Sequence, residues 1–247
     1  MNQSIAQIIQ QQGILDVVHP NMAALFHEDP TSFTLARRVG LGASDASVYL
    51  GVNLYTSLDA LITEKRATAV TADEKAIADI EAVRKGRDLE PIILNKFTAW
   101  SGLTVEKPEA MYRITAHPQL LINFDGLTDM SGMLIPVEAK FVTQYGTKYY
   151  DQCQAIDNWM AGSRKTCGGE SIIDHITQEA KLYGIPAYYY TQVQQQMMGV
   201  DAPYAFLAVL FDKGWNFRVF KIFSDAFTQQ AIMTESAKVW NKIKPSD

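Results

Sequence analysis

Residues 120–142 read LLINFDGLTDMSGMLIPVEAKFV, and the folding of this stretch decides what the chain can be. Successive strand side chains point to opposite faces, so Glu138 and Lys140 share a face, roughly 6–7 Å apart along the chain. Two turns compete, at Asp125-Gly126 and at Ser131-Gly132, and Asp-Gly is the stronger statistical hairpin signal. A turn at Asp-Gly leaves the Ser131-Gly132 break inside the return strand. A turn at Ser131-Gly132 sets Met130 against Met133 and carries that register down to Asp125 opposite Glu138. Leu120, Ile122, Phe124, Ile135, Val137, Ala139 and Phe141 then share one face. Asn123, Asp125, Glu138 and Lys140 share the other. The period favours this second register.

Directly opposed strand residues have Cβ atoms about 4.5–5.5 Å apart, where like charges destabilise a sheet. Burying a charge is costly unless it is paired or binds a metal. Asp125 and Glu138 therefore need a cation between them. Lys140 supplies one charge, and Mg²⁺ or Mn²⁺, which favour carboxylate oxygens, would supply more. The same spacing suits a half-exposed hairpin whose Glu138–Lys140 pair faces water. On spacing alone that plainer reading ranks first.

Outward from this hairpin, the pattern is helical before and mixed after. Helical periodicity covers about 3–12, 31–38, 44–50, 57–66 and 72–100, interrupted at Gly40, Gly42, Gly51 and Gly86. Strand period follows over 110–143, with His117 beside Pro118 at the start of a strand. A helical stretch is expected over 147–161, then the loop GSRKTCGGE (162–170) and a helix to Tyr183. The segment from Pro186 to Gly199 carries helix punctuation at both ends. PYAFLAVLF, DKG and WNFRVFKIF (203–223) read as strand, turn and strand, and a last helix runs from about Asp225 to Lys242. This order predicts an α/β fold with a central mixed sheet flanked by helices. One domain is expected, its helical part at about 1–105 and its sheet-and-helix part at about 106–247.

Composition narrows the class. With 47% hydrophobic residues in 247, the chain can bury a full core. No run of eighteen apolar residues occurs, which argues against a membrane span. Cys153 and Cys167 are too few for a four-cysteine zinc or iron–sulfur site and point to a reducing cytoplasm. The amphipathic start MNQSIAQIIQQQGILDVV does not resemble a signal peptide. A net charge of −5 excludes an overall basic coat but not a locally basic groove for nucleic acid.

Asp125-Gly126 followed by Glu138-Ala139-Lys140 resembles the D…(D/E)-x-K signature of the restriction-endonuclease-like nuclease superfamily. Three further stretches occur in matching order: RRVGLGASDASVYLG (37–51), GRDLEPIILNKF (86–97) and YYTQVQQQM (189–197). Together they resemble the lambda-exonuclease and YqaJ-like viral recombinase family of alkaline exonucleases, over about residues 33 to 210. The resemblance implies a restriction-endonuclease-like core and 5′→3′ digestion of linear double-stranded DNA. The product would be a 3′ single strand for an annealing recombinase in phage-type homologous recombination. It also implies Mg²⁺, with Mn²⁺ as a substitute and two ions per site, and a homotrimeric ring. A bacterial cytoplasm and a phage or prophage origin go with it.

Carried over residue by residue, the resemblance makes Asp125, Glu138 and Glu90 metal-binding acids, with the Ala139 carbonyl as a backbone ligand. Lys140 would orient or deprotonate the attacking water, with its pKa lowered by neighbouring cations. Gln192 would lie near that water. Arg37, Arg38 and Ser44 belong to the segment that grips the 5′ phosphate, and Arg37 fits better than Arg38. Taken alone, Glu90 before Pro91 is also an ordinary helix start, and Ser44 an ordinary N-cap. Between Lys140 and Gln192 the chain is longer than the family prototype, and the excess includes AGSRKTCGGES (161–171). Its Arg164 and Lys165 suit either DNA contact or a plain exposed loop. Two competing readings stay open: an endonuclease of the same superfamily, and a non-enzymatic DNA-end-binding protein.

Overall fold

The structure is a computed structural model that describes residues 19–25, 30–69 and 80–244. The helix expected over 3–12 and the first part of that expected over 72–100 lie outside the described residues. Strands β5 (Gly126–Met130) and β6 (Met133–Val142) form an antiparallel hairpin with Met130 opposite Met133 and Gly126 opposite Val137. This is the register expected from the Ser131-Gly132 turn. Ser131 and Gly132 have φ of 59° and 85°, the double positive φ of a turn whose twist matches the flanking strands. The Asp129 carboxylate accepts from the Gly132 amide at 2.8 Å and secures the corner.

Upstream, the expectation of one long hairpin fails. Leu120–Ile122 is a separate strand, β4, which pairs with β3 (Met111–Ile114) and, in parallel, with β2 (Leu41–Gly42). The chain leaves one sheet and enters the other across Asn123–Asp125. Gly126 permits the crossing, since a Cβ there would meet Val105 Cγ1 at 2.4 Å. His117 is in the turn before β4, not at the start of the strand.

Among the described residues, two four-stranded sheets result. One has the order β1-β3-β4-β2, with β1 at Met22–Leu25. The other has the order β5-β6-β7-β8, with β7 at Tyr204–Phe211 and β8 at Asn216–Phe223. It is mixed: β6 and β7 run parallel, while the outer pairs are antiparallel. β7 is buried along nearly its whole length, as an apolar run in a doubly covered sheet should be.

Among the described residues, seven helices flank the sheets. They are α1 (Pro30–Ala36), α2 (Ala46–Tyr49), α3 (Leu58–Arg66), α4 (Glu81–Ser101), α5 (Ile172–Tyr183), α6 (Ala187–Val200) and α7 (Ala226–Ile243). α4 packs on β6 and β7, with Phe97 against Phe206 at 5.1 Å between ring centres. Gly86 does not interrupt it. α6 touches β3, β4, β6 and β7 and so bridges the two sheets. Gly199 makes that approach possible: a Cβ there would meet Ile122 Cδ1 at 2.4 Å and Met22 Sδ at 2.8 Å.

The helix expected over 147–161 is absent. Only two short 3-10 turns form, at Thr147–Tyr149 and Gln152–Gln154. Side chains there compete with helical bonding. The Asp151 carboxylate accepts from Cys153 N, and Asn158 Oδ1 accepts from Met160 N and Ala161 N. The next segment is tied to the body. Lys165 Nζ donates to Gln154 Oε1 and to the Leu182 carbonyl, and the Cys167 amide donates to buried Glu179. Among the described residues no helix is long and apolar enough to cross a membrane.

Candidate active site

One step beyond the last pair of the β5–β6 ladder stand Asp125 and Glu138. Asp125 Oδ2 accepts from the Ala139 amide at 2.9 Å, which locks its carboxyl beside the β6 backbone. Burial, the Glu138 charge and the Glu90 charge push the Asp125 carboxyl up to about 8, against the pull of Lys140 and the Ala139 amide. A carboxyl held this high marks burial first and neighbouring negative charge second.

Glu138 is 1% exposed, and an uncompensated carboxylate there would cost several kcal/mol, on the order of what an unpaired buried ion loses. Three side chains compensate it. Lys140 Nζ and Gln192 Nε2 both donate to its Oε1, and Gln196 Nε2 donates to its Oε2 at 2.6 Å. The lowered pKa expected of Lys140 belongs to a site loaded with cations. Without them, burial works against its charge, but the Glu138 and Asp125 carboxylates outweigh that and raise its pKa. In this arrangement Lys140 is an ammonium, a hydrogen-bond donor and a charge.

Glu90 is not in the first turn of a helix. It lies well inside α4, which begins at Glu81 and carries Pro91 within it. Pro91 removes one main-chain donor in mid-helix, a cost that packing on β6 and β7 offsets. Glu90 pairs with Lys107, and its charge reaches Asp125. Among the described residues no three Asp, Glu, His or Cys side chains gather as a ready set of metal ligands. The buried Glu138 carboxylate and the half-buried Asp125 carboxyl repel one another, and as a pair they fit a hard divalent cation.

Arg38 parts from Arg37 and Ser44, which stay together. Arg38 is 3% exposed and donates to the Ala67 and Ala69 carbonyls at 3.0 and 2.8 Å, so it braces the end of α3. Arg37 stays partly exposed, with Nη2 donating to Ser44 Oγ at 3.3 Å and lying 3.9 Å from Asp45 Oδ1. Ser44 does not open a helix with a capping bond. It is inside a 3-10 turn, Ala43–Asp45, ahead of the four-residue α2. The positive end of a long helix is therefore missing, and the Arg37 and Ser44 side chains carry the polar character of this corner. Buried Asp45 supports it: Lys65 Nζ lies 2.7 Å from Asp45 Oδ2 and donates to the Arg37 carbonyl at 3.1 Å. Burial raises the Asp45 carboxyl, but Lys65 and Arg37 together bring it below the usual range.

The sequence reading missed most of the glutamine row on α6. Gln195 Nε2 donates to the Leu41 and Leu121 carbonyls, and its Oε1 accepts from Tyr49 Oη. Gln194 joins the Phe223 carbonyl to the Asp225 amide. Gln196 is 1% exposed and shares a helix face with Gln192, four residues earlier. That i, i+4 spacing was the available signal.

The YqaJ-like viral recombinase domain family matches residues 32–202. The uncharacterised protein YqaJ of Bacillus subtilis (strain 168) is 28% identical over 117 residues, 47% of this chain and 35% of that protein. The match thus spans about a third of the relative's length. Among solved structures, the alkaline exonuclease LHK-Exo from Laribacter hongkongensis aligns with a TM-score of 0.56 and 14% identity. That alignment covers 85% of this chain and 91% of the other. LHK-Exo in complex with dAMP aligns at 0.55 with 15% identity, covering 86% and 92%. These alignments show a shared fold.

Proposed function

This chain belongs to the YqaJ-like viral recombinase family, and on that premise we propose that it is a metal-dependent 5′→3′ exonuclease acting on linear double-stranded DNA. Family and shared fold both support a nuclease. The observation that carries the reading is Asp125 beside Glu138, with Lys140, Gln192 and Gln196 all closing on the Glu138 carboxylate. A relative in fold bound to dAMP fits release of mononucleotides.

Asp125 and Glu138 would hold the ions, with Ala139 offering its carbonyl and Glu90 a further carboxylate once released from Lys107. Mg²⁺, or Mn²⁺ in its place, would supply Lewis-acid stabilisation of the attacking and leaving oxygens, for which two ions suffice. The chain supplies the rest. Lys140 would orient the attacking water or, with bound cations lowering its pKa, take that water's proton. Gln192 and Gln196 fix the Glu138 rotamer, so its oxygens keep one geometry through successive cuts. Arg37 and Ser44 offer charge-assisted hydrogen bonds to a terminal 5′ phosphate. The proposal extends to a homotrimer around DNA and an annealing recombinase that takes up the 3′ strand.

Linear and closed circular duplex, each with Mg²⁺ or with EDTA, test the reading. Digestion of the linear form alone, only with Mg²⁺, is expected. Cutting of the circle would make the protein an endonuclease. The internal pairing of Glu90 with Lys107 and of Glu138 with Lys140 favours one alternative, a DNA-end-binding protein that needs no cation. Retention of DNA ends without cleavage would establish it.

A further inference from the structure

A row of tyrosines connects the Arg37–Ser44 corner to Lys140. Tyr55 is 72% exposed, an unusual place for a large ring. Its edge meets Tyr188 with ring centres 5.8 Å apart, and Tyr188 meets Tyr189 at 4.5 Å. The Tyr189 ring lies 5.2 Å from Lys140 Nζ. The outer end of the row is fixed by hydrogen bonds rather than by burial. Asn53 Oδ1 accepts from the Tyr55 and Thr56 amides, each at 2.8 Å. Asn53 Nδ2 donates to Ser47 Oγ at 2.7 Å, and Ser47 Oγ donates to the Ser44 carbonyl at 3.1 Å. Tyr55 is thus held in place relative to Ser44 at one end and packed towards Lys140 at the other.

A pre-positioned aromatic row, exposed at Tyr55 and half-buried at Tyr188 and Tyr189, between the Arg37–Ser44 corner and Lys140 suits one occupant, the nucleobase joined to the phosphate that the proposed function places there. We infer that Tyr55, backed by Tyr188 and Tyr189, is a stacking shelf for the 5′-terminal base of the DNA strand that enters the site. Every base offers a π face, so the shelf is indifferent to sequence. It is selective for ends, because inside a duplex both faces of a base are covered by its neighbours and only the terminal base has one bare. Selectivity for ends would then come from stacking as well as from the 5′ phosphate. The inference rests on the nuclease reading above, and the test below separates the two.

The probes are 5′-phosphorylated duplexes that differ only in the 5′-terminal nucleotide, which either carries its base or is abasic. With Mg²⁺, loss of the base should lower kcat/KM of the wild-type protein about tenfold, a typical stacking contribution. Tyr55→Ala should bring the intact duplex down to the abasic rate and leave the abasic rate unchanged. Tyr55→Phe, which keeps the ring, should behave as wild type. A parallel arm measures binding to the same duplexes in EDTA by anisotropy, where about the same tenfold difference in Kd is expected. Wild-type protein that ignores the missing base in both arms overturns the shelf, as does a Tyr55→Ala variant that slows both substrates equally. If sedimentation shows that Tyr55→Ala breaks an assembly, the row is a subunit contact and the inference is wrong. Discrimination in EDTA with no cleavage in Mg²⁺ would sink the nuclease reading and leave the shelf standing.

Discussion

Replacing Asp125 with asparagine should stabilise the metal-free protein at alkaline pH while abolishing Mg²⁺-dependent digestion. The carboxyl ionises near 3.8 in an ordinary setting and is held up to about 8 in the fold, first by burial and then by the Glu138 and Glu90 charges. Between these values the folded protein keeps a proton that the unfolded chain has lost. Stability attached to this group is complete below about pH 4, declines as pH rises, and is lost once pH passes about 8. Each pH unit between the two values corresponds to ~1.4 kcal/mol, which sets a ceiling of about 6 kcal/mol. Asp125 is partly open to solvent, and water screens part of that cost, so about 2–3 kcal/mol is expected.

Asparagine carries no charge, and its carbonyl oxygen can keep the 2.9 Å bond from the Ala139 amide. Urea denaturation in EDTA from pH 4 to 9 reads the effect. The two proteins should coincide near pH 4 and diverge steadily, with the variant about 2–3 kcal/mol more stable at pH 9 from its urea midpoint. Curves that stay parallel across the range would refute the reasoning. So would an asparagine variant that is the less stable of the two at pH 9.

Three further substitutions probe the rest of the site. Lys140→Ala should still bind DNA ends but cut about 10²–10⁴-fold more slowly in single-turnover assays; a large loss of affinity instead would make Lys140 a substrate-binding group. Arg37→Ala should remove a preference for phosphorylated over hydroxyl 5′ ends worth roughly tenfold to a hundredfold. Arg38→Ala should leave that preference intact and cost about 3 kcal/mol in denaturation, since the Ala67 and Ala69 carbonyls lose their donor. Gln196→Ala strips Glu138 Oε2 of the amide that donates to it and should cost about 1.5–3 kcal/mol. An unchanged urea midpoint for that variant would show that the contact contributes nothing.

The hairpin was legible because alternation and turn chemistry agreed: Ser131-Gly132 closed it, and the register placed Asp125 against Glu138. The expectation broke one step further, at Leu120–Ile122, where a strand of the right period paired with a different sheet. Local pattern fixes which way a side chain points but not which partner its strand finds. Glu90 failed for a related reason. Proline at the first turn is a statistical preference, and α4 runs through Pro91 because tertiary packing outweighs one lost main-chain bond. The glutamine row on α6 is a different case. A buried carboxylate has two oxygens and about four acceptor sites. Lys140 lies on the same strand two residues on and reaches only Oε1. Once Glu138 is placed in the core, the second oxygen requires donors from an element packed over that strand. Two glutamines one helical turn apart are what such an element would show in sequence. Gln192 was legible through the family resemblance; Gln196 was implied by the burial of Glu138, and that burial became visible only when α6 was laid across β6.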